Sequence, residues 1–339
     1  MFAVQDEIAT AIAGALQVRL TAGPRRHAPN LAAYEAFLRG RHHWAKLTPD
    51  SLARSRECYE QAVALDPQFA LARHALAEHF FALTANGLMP AHDAIRLVRA
   101  GALAALEIEP GLAEPHALLG LLAAEVQYDW NEAARQFHLA TAREPVLPYV
   151  RWLRGQYFCV LARFLEAADE MERALQEDPL HLLCRSQFAD CLHAMGRYVE
   201  ASQQIRQVLA IDQSFWIAHW YLATFQAEEG EVAAALGSAE TAYSLMPSTV
   251  AAGVLAGILT RSGEAARAVT LMAQFRSPES YGMPVGWAAY HLFRMDTDEA
   301  AKWLEKAIEQ RDCRVIFLLR HFRGSPHWPT LAKKMNLPV

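Results

Sequence analysis

The fold is decided by residues 114–145, which read EPHALLGLLAAEVQYDWNEAARQFHLATAREP. Ala133, Phe137 and Ala140 follow one another at intervals of four and three residues, the spacing of one face of an α-helix. Gly120 precedes them on a second apolar stretch. Small residues such as Gly120 and Ala133 let the backbones of two antiparallel helices approach closely. The segment therefore predicts a helical hairpin.

The same pattern recurs along the chain with a period close to 34 residues. One ladder of small residues consists of Ala133, Ala167, Ala201, Ala235, Ala268 and Ala300. A second ladder, on the preceding helices, consists of Ala77, Gly120, Gly155, Ala189, Ala223, Ala256 and Ala288. A fixed period of this length indicates stacked helical hairpins. Alternating apolar and polar residues, the sign of a strand, are missing from these units.

Turn residues mark the ends of the predicted helices. Gly196, Gly230 and Gly263 each stand five residues before an alanine of the first ladder, where a left-handed glycine would end a helix. Prolines such as Pro145 and Pro179 close several units, because proline cannot continue a helix. Two units are expected to be irregular: residues 41–50 form a long loop in the first, and residues 84–93 lengthen the second.

These units resemble tetratricopeptide repeats, which combine a small residue on the first helix, an Ala–aromatic–Ala pattern on the second and a closing proline. The resemblance implies an all-α fold, a right-handed superhelical solenoid of about eight helical hairpins between residues 31 and 312. We divide the chain into an N-terminal linker or capping helix (residues 1–28), the solenoid (residues 29–312) and a C-terminal capping segment (residues 313–339).

A closer resemblance rests on FAVQDEIATAI (2–12), AYEAFLRGRHHW (33–44), YEQAVALDPQFALARHALAEHF (59–80), KWLEKAIEQRD (302–312) and LAKKM (331–335). These stretches are similar to the repeat module found C-terminal to bacterial signalling domains: winged-helix regulators, class III adenylate cyclases and serine/threonine kinases. In such proteins the QDEI helix usually follows a small domain related to the TolB N-terminal domain. The resemblance implies a module that recruits partners or senses signals.

Composition excludes several classes of protein. The 339 residues carry a formal net charge of −5, which argues against broad nucleic-acid binding. The five cysteines are scattered and odd in number, so a reducing, cytoplasmic environment is the simpler interpretation. No basic signal peptide opens the chain, and no apolar stretch is long enough to span a bilayer.

No sequence motif predicts catalysis, a cofactor or a metal site. The chain lacks a phosphate-binding GxxxxGK[ST] loop, a GxGxxG motif, an HExxH motif and a GxSxG elbow. Cys191 and His193, or His181 and Cys184, are weak candidates for a reactive pair or a metal site, because further ligands are not evident. We therefore expect a protein that is not an enzyme and binds no cofactor or metal.

The concave wall of a solenoid is the candidate functional site, because the first helix of each hairpin lines it. Helical spacing about the second ladder predicts which side chains face inward. The predicted site comprises His74, Glu78, Phe81, Trp152, Gln156, Asp190, His193, Trp220, Thr224 and Arg261. Aromatic area together with polar groups suits an extended peptide.

Several alternatives stay open at this point. Trp152 and Trp220 could simply fill the interior of a tight superhelix, and the bare surface at Gly253 and Gly257 could serve ligand binding or close packing. A closed interior could instead hold a small molecule and make the chain a sensor. A dispersed enzyme site and a repeat protein that reads RNA are further rivals, the latter disfavoured by the acidic charge balance.

The two ends of the chain carry further apolar surfaces. Val4, Ile8, Ile12 and Leu16 form a stripe on one face of the N-terminal helix. This stripe either caps the first hairpin or mediates self-association. The C-terminal IFLLRHF and HWPTLAKKM are expected to close the other end, as solenoids require.

Overall fold

The computed structural model describes residues 27–274 and 281–338, and these residues form an all-α repeat superhelix. Eight hairpins follow one another, each made of a first and a second helix. The first helices are α1 Leu31–Trp44, α3 Ala70–Ala85, α5 Ala113–Leu122, α7 Pro148–Val160, α9 Leu182–Ala194, α11 Trp216–Glu228, α13 Thr249–Arg261 and α15 Met283–Phe293. The second helices are α2 Pro49–Leu65, α4 Ala91–Ile108, α6 Trp130–Ala140, α8 Phe164–Glu177, α10 Tyr198–Ile211, α12 Val232–Leu245, α14 Ala265–Ala273 and α16 Thr297–Glu309.

The ladders of small residues lie where the helices of each hairpin meet. Ala133, Ala167 and Ala201 are completely buried. A Cβ atom added to Gly120 would lie 2.9 Å from the ring of Phe137, and one added to Gly155 would lie 2.7 Å from the side chain of Met171. The period of 34 residues in the sequence is therefore a period of close helix contacts, and the predicted repeat fold is confirmed.

The turns between paired helices share one backbone conformation. Gly196, Gly230 and Gly263 have φ angles of +77°, +85° and +89°, as their positions predicted. Equivalent turns use Tyr128 and Ala162 at φ +56° and +58°. The same left-handed turn therefore forms in hairpins that have another residue in place of the glycine.

The first and third hairpins depart from the regular pattern. The loop expected over residues 41–50 is shorter, because α1 continues to Trp44 and α2 starts at Pro49 with Thr48 as its N-cap. In the third hairpin, α5 runs into a π-helical turn, Ala123–Gln127, before Tyr128. Such turns insert an extra residue into a helix and are frequent at functional sites.

Close packing explains the glycines of the seventh hairpin. A Cβ atom at Gly253 would collide with the carbonyl oxygen of Gly286, and one at Gly257 would lie 2.7 Å from Cβ of Phe293. Helices α13 and α15 therefore touch backbone to backbone. Of the two alternatives for Gly253 and Gly257, the structure shows tight packing.

The C-terminal segment enters the superhelix. Residues 313–322 form a 3-10 turn (Cys313–Val315), the short helix α17 (Ile316–Leu319) and a second 3-10 turn (Arg320–Phe322), which lie against the first helices. Val315, Leu318 and Phe322 are completely buried there. We call residues 311–323 the C-terminal insert. After it, helix α18 (Trp328–Lys334) packs on α16. The expected terminal cap thus also fills the interior.

The superhelix is tight enough for distant hairpins to touch. Nε1 of Trp216, in the sixth hairpin, donates to the carbonyl oxygen of Leu47 in the first, at 3.1 Å. Nε1 of Trp130, in the third, donates to the carbonyl oxygen of Met335 near the C-terminus, at 2.8 Å. These bonds close the inner wall around the C-terminal insert.

Two further points concern the ends of the chain and membranes. The stripe of Val4, Ile8, Ile12 and Leu16, like most of the proposed N-terminal segment 1–28, lies outside the described residues. Within the described part of the chain, every helix is too short or too polar to cross a bilayer.

Candidate functional site

The predicted concave-wall residues are buried rather than exposed in an open groove. Eight of the ten are no more than 9% exposed: His74, Glu78, Phe81, Trp152, Gln156, His193, Trp220 and Thr224. Asp190 and Arg261 are half-buried. Trp152 and Trp220 are only 4% and 7% exposed, which favours the interpretation that they fill the interior. Their role in binding stays a prediction.

The C-terminal insert covers the wall around α9 and α11. Arg320 places its Nε 3.2 Å from Oδ1 of Asp190 and binds Glu228 through two hydrogen bonds of 2.6 and 3.1 Å. Phe317 packs edge-on against Trp220 with 5.5 Å between ring centroids. Arg323 donates to the carbonyl oxygen of Val160 at the end of α7. One short segment therefore contacts three first helices by charge, aromatic area and backbone hydrogen bonding.

His193 belongs to the same cluster. Its ring stacks on Phe225 at 4.1 Å and an interplanar angle of 6°, and Nη1 of Arg320 lies 3.3 Å from its Nδ1. Burial, followed by the nearby Arg320, lowers the pKa of His193 to about 4. A neutral ring can accept the hydrogen bond from Arg320. His193 is therefore a support for Arg320 at neutral pH.

The charged form of Glu228 is disfavoured by burial although Arg320 is its partner. Burial raises its pKa to about 7, Arg320 opposes this shift, and Asp190 adds to it. Two carboxylates thus share one guanidinium. The sequence prediction included Asp190 but missed Glu228 and Arg320, because the partner lies in the insert, which the repeat pattern does not place.

A second ionic cluster lies at the opposite end of the wall. Arg41 on α1 forms an ion pair with Glu78 on α3, which is 3% exposed. Burial raises the pKa of Tyr149, and the Glu78 carboxylate adds to this shift. The Tyr149 ring contacts the ring of His74, with 5.3 Å between the ring centroids. Burial lowers the pKa of His74 to about 3, and Arg41 adds to this shift. The predicted His74 and Glu78 therefore belong to a buried polar cluster.

An internal cavity separates the two clusters. It contains about 990 Å³ of atom-free space, part of it open to solvent, and its wall is formed by first helices together with the C-terminal insert. Five predicted site residues line it: Glu78, Phe81, Trp152, Gln156 and Trp220. The cavity is also lined by residues that the repeat pattern did not predict, among them Trp44, Glu125, Trp216 and Arg314. The turns that carry Glu125 and Arg314 follow no repeat period.

Arg314 anchors the insert to three hairpins. Its guanidinium binds Asp312 through two hydrogen bonds of 2.9 and 2.7 Å and donates to Oγ1 of Thr249 at 3.1 Å. The same group fills the space next to Gly87 and Gly282, where a Cβ atom would collide with it. Arg314 thus holds loops of the second and eighth hairpins and the start of α13.

Two predicted residues, Thr224 and Arg261, lie apart from the cavity and from both ionic clusters. The Thr224 hydroxyl donates to the carbonyl oxygen of Tyr221 on its own helix, at 2.8 Å. Arg261 donates to the carbonyl oxygen of Ala227 at 2.9 Å and so links α13 to α11. Both side chains make structural contacts here.

Metal ligands do not cluster in the part of the chain that the structure describes. Across residues 27–274 and 281–338, His, Cys, Asp and Glu side chains form no group of three or more that could hold a metal ion. Cys184 and Cys191 are buried free thiols.

Comparison with known proteins places this geometry in a family of repeats. A model of the tetratricopeptide repeat family matches residues 162–224. The crystal structure of yeast Tom70 is similar to the chain with a TM-score of 0.50 and 17% identity, over 93% of this chain and 70% of that one. The chain carries tetratricopeptide repeats. Proteins built from such repeats use their concave surfaces to bind other molecules, and the fold supports a protein-interaction scaffold.

Two other similarities are more distant. A tetratricopeptide repeat protein from Parabacteroides merdae has a TM-score of 0.47 and 17% identity, over 77% of this chain and 98% of that one. The transcriptional regulator HilA from Salmonella paratyphi A is 24% identical over 143 residues, 42% of this chain. That match spans about a quarter of HilA, 26% of its length.

Proposed function

We propose that the chain is a non-catalytic scaffold that recruits a protein segment to its concave wall, as the partner-recruiting or sensory module of a bacterial regulatory protein. The observation that carries this proposal is the C-terminal insert. It is a stretch of polypeptide that already occupies the wall. Its contacts indicate which chemistry a partner segment needs.

The contacts of the insert suggest a partner with spaced arginine and aromatic side chains. Asp190 and Glu228 together bind one guanidinium, and Trp220 packs on one aromatic ring. Bidentate arginine–carboxylate pairs give geometric specificity as well as binding energy. A partner segment with the same groups would compete with Phe317 and Arg320 for these positions.

Two similarities support the regulatory role. The stretches at residues 2–12 and 59–80 resemble the repeat module of bacterial signalling proteins, and the relative HilA is a transcriptional regulator. The free thiols of Cys184 and Cys191 are consistent with a cytoplasmic location. The non-catalytic role is supported by the repeat fold, whose concave surface serves binding.

A peptide-binding experiment tests the scaffold. The probe is a fluorescein-labelled peptide with the sequence of residues 311–326, with serine in place of Cys313. Its binding is measured by fluorescence anisotropy to the wild-type chain and to the Phe317→Ala/Arg320→Ala variant, whose own insert is weakened. We expect the variant to bind the peptide at least about tenfold more tightly, because the wild-type insert competes.

Controls make the outcome specific. A scrambled peptide measures non-specific binding, and Lys334→Ala, on α18, leaves the insert in place. Circular dichroism checks that each variant keeps its helices. Failure of both chains to bind the peptide, or equal binding of the scrambled peptide, would contradict the proposal.

A further inference from the structure

The internal cavity has a mainly apolar wall with a few polar groups. Most of its wall is apolar or aromatic, and it includes four indoles, those of Trp44, Trp152, Trp216 and Trp220. The cavity is partly open to solvent, and its atom-free space of about 990 Å³ includes that open part. The insert forms part of the wall, so an occupant of the cavity would touch both the repeats and the insert.

Most polar groups of the cavity wall are satisfied by other protein groups. Arg314 is paired with Asp312. Nε1 of Trp152 donates to Oε1 of Gln187 at 2.5 Å, and Nε2 of Gln187 donates to Gln156 at 3.3 Å.

Two further polar wall groups are also engaged. Glu78 is paired with Arg41. Nδ2 of Asn86 donates to the carbonyl oxygen of Ala82 at 2.7 Å. Glu78 and Arg314 therefore each have an oppositely charged partner, although Oε1 of Glu78 and the Tyr149 hydroxyl are buried without a hydrogen-bond partner.

Among the described residues that line the cavity, Glu125 is the one carboxyl group without a basic partner, since the other, Glu78, is paired with Arg41. It lies in the π-helical turn that ends α5, is 2% exposed and lines the cavity, and its Oε1 has no hydrogen-bond partner. Burial raises its pKa to about 8, with no basic side chain to offset the shift. A buried carboxyl group without a partner is costly, and each such group in a native protein calls for an explanation.

We propose that the cavity binds a small, mainly apolar molecule that carries a protonated amine, with Glu125 as the partner of the amine. Free Glu125 is protonated at pH 7 and releases this proton to solvent when the ligand binds. The carboxylate then accepts hydrogen bonds from the ammonium group, and the resulting pair is neutral overall. The indole faces of the wall add favourable contacts to a cation. An anionic ligand would find Arg41 and Arg314 already paired with carboxylates.

Trp44 offers a further polar contact on the cavity wall. Nε1 of Trp44 is buried and has no acceptor. An oxygen acceptor on the ligand would satisfy this donor. The preferred ligand therefore has an apolar body, one amine and room for one acceptor.

Three probes of nearly equal size separate the contributions. 4-Phenylbutylamine carries the amine, 4-phenylbutan-1-ol replaces it with a neutral donor, and butylbenzene has no polar group. Binding is measured by isothermal titration calorimetry and by the quenching of tryptophan fluorescence, using the full chain at pH 7. We expect the amine to bind about tenfold more tightly than the alcohol, and butylbenzene to bind least.

Variants then assign the effect to one side chain. Glu125→Gln keeps the shape of the side chain but cannot form an ion pair, so we expect it to weaken amine binding at least about tenfold and leave butylbenzene binding unchanged. Glu200→Gln, at an exposed ion pair with Arg197, is the matched control and should bind the amine like the wild type.

Three results would overturn the proposal: no amine binding to the wild type at millimolar concentration, equal amine binding to the wild type and Glu125→Gln, or an alcohol that binds as tightly as the amine. The probe series in the wild-type chain needs no variant to fold. Because the peptide experiment uses other residues of the wall, the scaffold proposal and the ligand proposal can fail independently.

Discussion

Arg320 and Glu228 are joined by two hydrogen bonds, of 2.6 and 3.1 Å, across 92 positions of the chain. Nε of Arg320 also lies 3.2 Å from Asp190. One cation on the insert therefore balances two carboxylates on α9 and α11. Because all three groups are largely withdrawn from water, this cluster is the electrostatic anchor of the insert.

Removal of Arg320 should destabilise the fold through the two carboxylates that it leaves. We expect Arg320→Met to lower the free energy of unfolding by about 3 kcal/mol, since uncompensated charges would stay partly buried. Replacing Asp190 and Glu228 by Asn and Gln in the same chain should recover much of that loss. Urea unfolding followed by circular dichroism measures both effects.

An exposed ion pair supplies the control. Arg197 binds Glu200 on the surface of α10, where ion pairs contribute little. We expect Arg197→Met to change the free energy of unfolding by no more than about 0.5 kcal/mol. Equal losses for Arg197→Met and Arg320→Met would show that Arg320 has no anchoring role.

The variant Gly87→Ala tests whether the Arg314 guanidinium lies against Gly87. Gly87 has a φ of +73°, and a Cβ atom there would collide with the Arg314 guanidinium, which Asp312 holds in place. We expect a larger loss of stability than for Gly196→Ala, where φ is +77° and nothing lies within 4 Å. The control measures the conformational cost alone, about 1 kcal/mol.

The difference between the two glycine variants isolates the collision. We expect Gly87→Ala to cost a further 1–2 kcal/mol or so in thermal or urea unfolding, a usual range for overpacking. In a chain that already carries Arg314→Ala, Gly87→Ala should lower the free energy of unfolding by less than it does in the wild-type chain. Additive costs would contradict the contact between Gly87 and Arg314.

The repeat fold was predictable because its determinants are local and periodic. Ala133, Ala167 and Gly155 are small since a partner helix lies against each of them, and this requirement recurs with every hairpin. Left-handed turns at Gly196 and Gly230 recur in the same way. Such signals reinforce one another along the chain, so single irregular units did not obscure them.

The contents of the interior were not predictable from the period. The partner of Glu228 lies 92 residues away in a segment outside the repeats, and the partner of Trp130 lies 205 residues away. The run IFLLRHF is apolar enough to be buried, but its sequence does not show against which surface. Helical spacing predicted that Trp152 and Trp220 face inward, and both line the cavity, but the spacing did not predict the insert that helps to bury them.

His181 should make stability fall on acidification. Its Nδ1 accepts a hydrogen bond from the backbone nitrogen of Cys184 at 3.1 Å and so caps α9, and its ring lies 4.5 Å from that of Trp152. Burial lowers its pKa to about 4 from an ordinary 6.5. Between these values the unfolded chain binds a proton that the folded chain does not, so stability is lost as the pH falls from about 7 to 4.

A cap that does not titrate tests this assignment. Asparagine is a good N-cap, so His181→Asn keeps an acceptor for the Cys184 N–H. We expect the variant to lose roughly 1–2 kcal/mol less than the wild type between pH 7 and pH 4.5, in urea unfolding at each pH. His92→Asn, at an exposed histidine, is the control for the substitution itself. A slope for His181→Asn equal to that of the wild type would rule out a contribution from His181.

Glu125 should have the opposite effect to His181 and lower the stability of the fold as the pH rises. Because burial raises its pKa to about 8 from 4.5, the folded chain binds a proton that the unfolded chain has released between these values. Stability should therefore fall as the pH rises from 5 to 9, and the cost of ionising a buried carboxyl group is on the order of 2–4 kcal/mol over this range. Glu125→Gln removes the titration, so its advantage over the wild type should grow with pH, while Glu200→Gln should show no such trend. If Glu125→Gln instead lost stability relative to the wild type at high pH, the carboxylate would have a favourable partner in the folded chain, and the unpaired Glu125 on which the amine site rests would be excluded.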